Sequence, residues 1–317
     1  MAANKIITVF GATGAQGGAV AQTFLQDLKL KSEWTVRAVT RDTTKESARK
    51  LASQGAEIIS ANLNDKSTLV KAMTGATAVY GVTNYWDTMD KQGEFQQGKN
   101  LVDAAKEAGV EHFIWSSLLN VTKLSNGKLP NVYHFDSKAK VEEYARQNGI
   151  PATFFLPGFY MSNIPGVAFR PGPPNNAWTF GLPVPETAPL PLFDTADTGK
   201  FVKAIVLRRD ELLGKRIFGA TAYLTGKEVV ESFKNAFPEA GKTASYFSMP
   251  QDMYLRVLKS KGLPDFAALE LLENMLLLDQ FGYYGGAKLD ESHSILEDKL
   301  TTWDEYIKKS KAFQGLN

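Results

Sequence analysis

The chain of 317 residues contains no cysteine, which excludes disulfide bonds, thiolate nucleophiles and cysteine-ligated metals. Histidine is scarce as well: His112, His134 and His293 lie far apart in sequence and show no metal-binding spacing. No run approaches the roughly 20 apolar residues that a membrane-spanning helix needs. The formal net charge of +2 gives no field that would attract nucleic acid or an anionic membrane. We therefore expect no metal site, no direct nucleic-acid binding and no membrane insertion.

The overall composition is that of an ordinary soluble globular protein, with 44% hydrophobic and 22% charged residues. The N-terminal sequence MAANKIITVFG leads straight into an apolar run and lacks the pattern of a secretory signal. Together with the missing cysteines, this predicts a cytoplasmic protein and leaves entry into the nucleus open.

Short apolar runs alternate with amphipathic segments through the first half of the chain. The runs that we interpret as strands are KIITVFG, WTVRAVTRD, AEIISANLND, ATAVYGVTNYW, VEHFIWSSL and PATFFLPG. Buried strands that alternate with helices are typical of a parallel sheet with helices on both faces. Residues 1–158 are therefore predicted to form an α/β core, a Rossmann-type doubly wound parallel sheet.

The second half, residues 159–317, breaks this rhythm and is predicted to form a smaller, mainly helical C-terminal lobe, partly interleaved with the core. Two apolar runs in it, KRIFGATA and TASYFSMP, are interpreted as strands of that lobe. The segment Phe169 to Phe193 is rich in proline and glycine and cannot form a regular helix. We expect it to be a loop that crosses a cleft.

Three glycines follow the first strand at a spacing of three residues, in the sequence GATGAQGG. Gly11 would permit a tight turn, Gly14 a close approach of the backbone to a pyrophosphate, and Gly17 close packing of helix on strand. The N-terminus of the next helix would add free N–H groups and a partial positive charge. The pattern predicts a dinucleotide site, and the alternative is a glycine-rich turn that binds nothing.

The end of the second strand indicates which dinucleotide is preferred. An NAD site usually carries a carboxylate there, for the ribose 2′-hydroxyl, whereas this strand ends in Arg41. A guanidinium suits a 2′-phosphate, and at about 1.5–3 kcal/mol per charged hydrogen bond it would favour NADP over NAD by roughly ten- to a hundredfold. Lys45 would add to this charge. The alternative is that Arg41 only forms a surface ion pair with the neighbouring Asp42.

The segment HFDSKAKVEEY resembles the catalytic helix of the short-chain dehydrogenase/reductase superfamily. In that superfamily a tyrosine acts as general acid four residues before a lysine, and here His134 stands four residues before Lys138. The nearest tyrosine, Tyr133, is one residue out of register and about 100° round the helix. A positioned general acid contributes about 10²–10⁴-fold in rate, so its loss would slow hydride transfer without weakening cofactor binding.

Taken together, these segments resemble the NmrA-like family of atypical short-chain reductases, and most closely its HSCARG-type redox-sensor branch. The resemblance rests on VFGATGAQGG, VRAVTRD, VTNYW, QGKNLVDAAKEAG, HFDSKAKVEEY and GIPATFFLPGFYMSN. It implies an NADP(H)-binding Rossmann fold without established reductase chemistry. It also implies a regulatory protein partner of unknown identity, and it leaves a homodimer open.

The resemblance further implies a set of cofactor-binding residues. The pyrophosphate turn would be Gly11, Ala12, Thr13, Gly14, Ala15 and Gln16, with Gly17 behind it; the adenosine phosphate would meet Arg41, Asp42, Thr43, Thr44 and Lys45, and the adenine Asn62 and Leu63. The nicotinamide half would meet Thr83, Asn84, Tyr85, Lys138, Phe159, Tyr160, Met161 and Ser162. Gln96 stands where close relatives carry a lysine, so a contact at that position would lose its charge.

Two functions follow from these residues. The first is an NADP(H)-binding redox sensor that regulates a partner. The second is an NADPH-dependent reductase of small carbonyl or quinone substrates, with Lys138 or His134 as the acid and the Phe169–Phe193 segment as a substrate lid. A third interpretation gives Lys138 no role at the cofactor and pairs it with Glu142 on a solvated helix face. An open pocket beside the nicotinamide would favour the reductase.

Overall fold

The structure, a computed structural model, describes residues 5–172 and 176–317. Residues 1–4, where the N-terminal run begins, and residues 173–175, in the middle of the segment predicted as a loop, lie outside this description. The strands are β1 (Lys5–Val9), β2 (Trp34–Thr40), β3 (Glu57–Ser60), β4 (Ala78–Gly81), β5 (His112–Ser116), β6 (Ala152–Pro157), β7 (Phe159–Tyr160), β8 (Phe169–Gly172), β9 (Ala177–Leu182), β10 (Leu190–Phe193), β11 (Arg216–Gly219), β12 (Ala222–Leu224) and β13 (Ser245–Ser248).

Helices separate most of these strands. They are α1 (Ala15–Gln26), α2 (Leu28–Glu33), α3 (Glu46–Ser53), α4 (Lys66–Met73), α5 (Lys91–Glu107), α6 (Val121–Leu124), α7 (Tyr133–Gln147), α8 (Thr198–Leu207), α9 (Arg209–Leu212), α10 (Gly226–Ala236), α11 (Pro238–Gly241), α12 (Gln251–Ser260), α13 (Asp265–Gln280), α14 (Asp290–His293) and α15 (Trp303–Lys309). None of the helices in the described part of the chain is long and apolar enough to cross a membrane.

Seven parallel strands form the main sheet in the order β11-β6-β5-β4-β1-β2-β3. Every residue of β4, β5 and β6 is buried, because helices cover both faces. Successive side chains point to opposite faces, so Val79 enters one hydrophobic cluster while Ala78 and Tyr80 enter the other. The α/β fold with a doubly wound parallel sheet is therefore confirmed. The order of the strands along the sheet reverses between β1 and β4, and the candidate site lies at this reversal.

The second half of the chain is built into the first. The run KRIFGATA, predicted as a strand of the C-terminal lobe, forms β11 at the edge of the main sheet, where Arg216 pairs with Phe154. Helix α8 packs so closely on α1 that a Cβ atom on Gly199 would lie 2.0 Å from the hydroxyl oxygen of Thr23. These two contacts hold the C-terminal elements against the sheet.

The prediction of a loop from Phe169 to Phe193 is wrong for most of the segment, which contains β8, β9 and β10. Strands β8 and β9 pair with β13 in one three-stranded sheet, and β10 pairs with β7 and β12 in another. Proline is tolerated in β8 because Pro171 lies on an edge strand, where a missing N–H leaves no gap in the hydrogen-bond ladder. The second half is thus less purely helical than predicted.

His112, at the start of β5, is a titratable group buried in the core. Its Nε2 lies 2.8 Å from the hydroxyl oxygen of Thr153, which donates its own hydrogen to the carbonyl of Leu212 at 2.9 Å. Nε2 must therefore carry the ring hydrogen, and Nδ1 is left buried without a partner in the described chain. Because a second proton would place an unpaired charge in the core, burial lowers the pKa of His112 to about 4.

This pKa makes stability depend on pH with a definite sign. The unfolded chain takes up a proton at His112 as the pH falls through 6.5, whereas the folded chain resists it until about 4. We expect the wild type to lose about 2 kcal/mol of unfolding free energy from this residue between pH 7 and pH 5. His112→Gln retains a donor for Thr153. Between pH 7 and pH 5 it should lose about 2 kcal/mol less unfolding free energy than the wild type, as measured by urea denaturation at both pH values. An equal loss in the two proteins would contradict the assignment.

Candidate functional site

A cavity of about 1370 Å³ opens at the carboxyl ends of the main-sheet strands. Its wall begins at the turn after β1, passes the ends of β2, β3 and β4, and continues over α7 into the second half of the chain. The reversal of strand order between β1 and β4 is the usual ligand position in an open α/β sheet. Since pockets for drug-sized ligands span about 300–1,000 Å³, this cavity has room for a long ligand or for two ligands together.

The glycine turn forms one end of the cavity and has the geometry that the sequence predicts. Gly11 has a φ of 62°, in the left-handed region that glycine adopts without strain. A Cβ atom on Gly17 would lie 2.4 Å from the carbonyl oxygen of Gly11, so the helix can approach the strand this closely only with glycine there. In the described chain α1 begins after Gly14 without a side-chain cap, which leaves its first N–H groups available to an anionic ligand.

The side chain of Gln16 forms three hydrogen bonds within the protein. Its oxygen accepts hydrogen bonds from Tyr80 at 2.6 Å and Ser116 at 2.9 Å, and its amide nitrogen donates to the Tyr160 hydroxyl at 2.6 Å. Burial raises the pKa of Tyr160 to about 12, so this phenol stays protonated. A contact of Gln16 with a ligand would therefore come from its backbone N–H or from the second hydrogen of its amide nitrogen.

Arg41 lines the cavity at the end of β2 and its side chain is 77% exposed. Its partner is Asp87, at 3.3 Å, and not the neighbouring Asp42 that the sequence offered as the alternative. The carboxylate of Asp42 accepts hydrogen bonds from the hydroxyl and backbone N–H of Thr44, which lower its pKa. An ion pair as exposed as Arg41–Asp87 contributes little stability, so the guanidinium can exchange Asp87 for a phosphate at small cost.

Lys138 lies in the cavity wall with only 8% of its surface exposed, and its ammonium group is paired with Glu94. The same carboxylate accepts hydrogen bonds from Ser137 and, at 2.8 Å, from Thr83. Glu94 is itself buried, so its charge is compensated by these three donors rather than by water. The arrangement fixes the position of the ammonium group in the cavity wall.

The interpretation that paired Lys138 with Glu142 on a solvated face is wrong. Glu142 is buried one helical turn further along α7, where its two oxygens receive hydrogen bonds from Ser117, Arg146 and Arg216. Lys138 and Glu142 lie on the same helix, but each finds its partners on the elements that pack against it.

His134 is held by a carboxylate from the far end of the sequence. One oxygen of Glu270, on α13, lies 2.6 Å from Nδ1 of His134 and accepts the backbone N–H of the same residue at 2.8 Å. The other oxygen accepts the hydroxyl of Tyr85 at 2.7 Å. Helix α7 has no side-chain cap of its own at Val132 in the described chain, so Glu270 performs that role from outside.

Tyr133 does not replace the missing catalytic tyrosine. It is not among the described residues that line the cavity. Its hydroxyl donates to Asn131 at 2.7 Å, and the ammonium group of Lys91 lies 4.2 Å from its ring centre. The offset of one residue turns this side chain away from the site, as the helical geometry predicts.

The structure places most of the sequence-predicted residues in the cavity wall and leaves a few outside it. The wall contains Gly11, Thr13, Gly14, Ala15, Gln16, Gly17, Arg41, Asp42, Lys45, Asn62, Leu63, Thr83, Asn84, Tyr85, His134, Lys138, Phe159 and Tyr160. Ala12 and Met161 are buried outside the wall, and Thr43, Thr44, Ser162 and Gln96 are exposed outside it. The contact with cofactor assigned to each of these residues stays a prediction.

Gln96 lies outside the cavity, although the sequence analysis expected it to contact the cofactor. Its amide donates to Asn100 at 2.8 Å on the outer face of α5, whereas the next residue, Gln97, lines the cavity and donates to Asn64 at 3.2 Å. One residue turns a helix by about 100°, which is enough to exchange the two side chains between cavity and solvent.

The sequence analysis missed two functional residues, Glu94 and Glu270, although the sequence pattern around each of them indicated a buried acid. Glu94 falls on the same buried helix face as Gly98, Leu101 and Ala105, so it is an acid inside an apolar stripe. Glu270 belongs to a helix whose residues are mostly apolar and buried. An acid at such a position needs a partner, although the sequence cannot say which.

The second half of the chain supplies an apolar end to the cavity that the sequence did not predict. Its wall includes Leu182, Phe247, Met249, Met253, Tyr254, Val257, Leu258, Leu263, Leu271 and Met275. The segment expected to be a substrate lid contributes to this wall through β8 and β9. Helix α12 has no buried residue, yet its apolar face lines the cavity.

The fold and the cavity together define a Rossmann-type α/β protein with a large ligand site at the carboxyl edge of its sheet. Comparison with known proteins refines this class. The family model described as the NmrA-like family matches residues 3–307. The NmrA-like family domain-containing oxidoreductase malD of Malbranchea aurantiaca is 30% identical over 267 residues, which is 78% of each chain. The chain belongs to the NmrA-like family.

Solved structures of similar fold include proteins of different function. One is NmrA, a negative transcriptional regulator, in complex with NADP, which is 22% identical and covers 96% of this chain and 95% of its own with a TM-score of 0.78. Another is the NADPH-dependent quinone oxidoreductase QOR2 of Escherichia coli in complex with NADPH, which is 21% identical and covers 95% and 98% with a TM-score of 0.75. The redox-sensor branch expected from the sequence stays a prediction.

The contacts of Glu270 generate a test of how α7 is held. We expect Glu270→Gln to lower the unfolding free energy by about 3 kcal/mol, because one amide oxygen cannot accept all the donors that now meet a carboxylate. Asp279→Asn is a matched control on the same helix, since Asp279 is exposed, and should change stability by no more than about 0.5 kcal/mol. Urea denaturation measures both, and equal stabilities would show that the Glu270 contacts are not needed.

Proposed function

We propose that the chain is an NADP(H)-dependent reductase of small apolar carbonyl or quinone substrates. The observation that carries this proposal is that the cavity does not end at Lys138 but continues into the apolar end formed by α12, α13, β9 and β13. A dinucleotide extending from the glycine turn to Lys138 would leave that end for a second molecule. The sequence favoured a regulator, and the apolar end is our reason for proposing the reductase first.

The residues of the first end fit an NADP molecule. The turn at Gly11 and the uncapped start of α1 suit the pyrophosphate. The exposed guanidinium of Arg41, with Lys45 beside it in the wall, suits the adenosine phosphate. Thr83 and Lys138, which share the carboxylate of Glu94, would hold the nicotinamide ribose.

Two side chains of the wall are suited to give a proton to the substrate. Bound NADPH would supply a hydride. Lys138 offers an ammonium group that Glu94 holds in place, and His134 would offer a proton from Nε2 in its imidazolium form, because Nδ1–H is engaged by Glu270. The phenols of Tyr85 and Tyr160 are poor proton donors, since burial raises the pKa of each, and the hydroxyl of Tyr85 already donates to Glu270.

The comparisons support the same proposal without deciding it. The relative from Malbranchea aurantiaca is described as an oxidoreductase, and QOR2 as an NADPH-dependent quinone oxidoreductase. Both similar structures described above contain NADP or NADPH.

The second candidate is an NADP(H)-binding redox sensor that regulates a protein partner. The observation that favours it is His134, bound to Glu270 at the position where the superfamily carries its catalytic tyrosine. NmrA, of similar fold, is described as a negative transcriptional regulator. A sensor would need two conformations with different affinities for the oxidised and reduced cofactor.

Turnover separates the two candidates. We expect NADPH oxidation, followed by nicotinamide absorbance against a panel of quinones and aldehydes, at about 1 s⁻¹ or faster, within the usual range of enzymes. Lys138→Ala should abolish it, because the ammonium group in the cavity wall is lost, whereas Lys140→Ala on the exposed face of the same helix should not. Tight NADPH binding without turnover on any compound would overturn the reductase and leave the sensor.

The cofactor preference has its own test. Arg41→Ala should reduce the preference for NADPH over NADH by roughly ten- to a hundredfold, because charged hydrogen bonds to the 2′-phosphate are lost. Arg49→Ala removes an exposed arginine from the neighbouring helix α3 and should leave the preference unchanged. Dissociation constants from cofactor fluorescence give the ratio, and an unchanged ratio for Arg41→Ala would remove this residue from the site.

A further inference from the structure

The apolar end of the cavity is neutral inside and charged only at its exposed rim. Among the described residues of that end, the charged ones are Arg170 and Lys261, and both are exposed. Between this rim and Lys138 the wall is dominated by side chains such as Met249, Leu271 and Met275. Such a surface binds apolar molecules but offers little to orient them.

Asn274 is the exception in this wall. Only 7% of its surface is exposed, and its Nδ2 has no hydrogen-bond partner in the described chain. This nitrogen is shielded from the cavity as it stands, and a half-turn of the amide, which exchanges nitrogen and oxygen without changing the shape, would turn it to the cavity face. Buried amides are almost always paired, so the nitrogen would gain its missing partner from a ligand in that orientation.

The position of Asn274 on α13 places it one helical turn from the residue that contacts His134. It lies four residues, about one helical turn, after Glu270, and therefore on the same side of the helix. Glu270 contacts His134, which is one of the two proton donors in the wall. Leu271 and Met275 flank Asn274 in the cavity wall. An apolar molecule that packs on these two side chains would bring its polar atom to the amide.

We propose that Asn274 is the specificity-determining residue of the apolar end, where its amide hydrogen-bonds an oxygen of an otherwise apolar carbonyl or quinone ligand. This inference rests on the proposed reductase and deepens it by naming the group that orients the substrate. An apolar pocket alone discriminates weakly between molecules of equal shape, whereas a pocket with one buried polar group rejects an analogue that leaves this group unpaired. The pocket therefore prefers a carbonyl compound to a hydrocarbon of the same skeleton.

A pair of ligands with one skeleton tests the hydrogen bond directly. 2-Methyl-1,4-naphthoquinone carries carbonyl oxygens and 2-methylnaphthalene does not, and their dissociation constants can be measured by calorimetry in the presence of NADP⁺, which prevents turnover. Asn274→Leu, of similar size, should weaken quinone binding by about threefold to tenfold and leave the hydrocarbon unchanged or tighter. Met275→Leu is the matched control in the same wall and should change both ligands by the same factor.

The melting temperature of the Asn274→Leu variant is an independent measurement. It should rise, because leucine replaces a buried amide that has no partner in the protein. A lower melting temperature would show that the amide has a structural role and would overturn the inference, as would an equal change in the affinities of both ligands.

The outcomes for wild type separate this inference from the proposed function. If wild type binds NADPH and the quinone but Asn274→Leu does not discriminate between the two ligands, the inference about Asn274 fails and the reductase stands. If wild type binds neither NADPH nor the quinone, both are overturned.

Discussion

Two buried carboxylates, Glu94 and Glu270, fix the helix on which the whole site depends. Glu94 pairs with Lys138, and Glu270 accepts hydrogen bonds from the backbone and ring of His134. A buried carboxylate is tolerated only when its charge is matched by donors, and breaking one partner of a buried ion pair costs about 3–5 kcal/mol. Helix α7 therefore has one low-energy position, and the side chains that it presents to the cavity are fixed with it.

The same two carboxylates hold the segment that resembles the catalytic helix of short-chain reductases. The position of the catalytic tyrosine is held by His134, and the contact with Glu270 makes that histidine part of the framework of α7 as well as of the cavity wall. Lys138 keeps its place beside Thr83 through their shared carboxylate. The part of the site that would hold a cofactor is thus built from the same framework, and in the proposed reductase the proton would come from groups other than a tyrosine.

The two ends of the cavity differ in how firmly they are built. The first end is formed by the main sheet. Strand, turn and helix approach one another so closely there that only glycine fits at the positions of Gly11 and Gly17. The other end is closed by α12, which has no buried residue, and by side chains such as Met249 and Met275. Elements with little buried surface open most easily, and methionine adapts to ligands of different shape. A fixed cofactor end beside an adaptable apolar end suits a protein that meets one dinucleotide and varied second ligands.

The sequence by itself determined the local and repetitive features of this protein. Alternation of apolar runs with amphipathic segments specified the parallel sheet, and the spacing of Gly11, Gly14 and Gly17 specified the turn, because both depend on neighbours in the chain. Only the tertiary structure decided the partners of Lys138 and His134, since Glu94 lies 44 residues away and Glu270 lies 136 residues away. It also decided that β8, β9 and β11 join sheets and that the cavity has an apolar end. Such contacts form between elements distant in sequence, and no local pattern encodes which elements will meet.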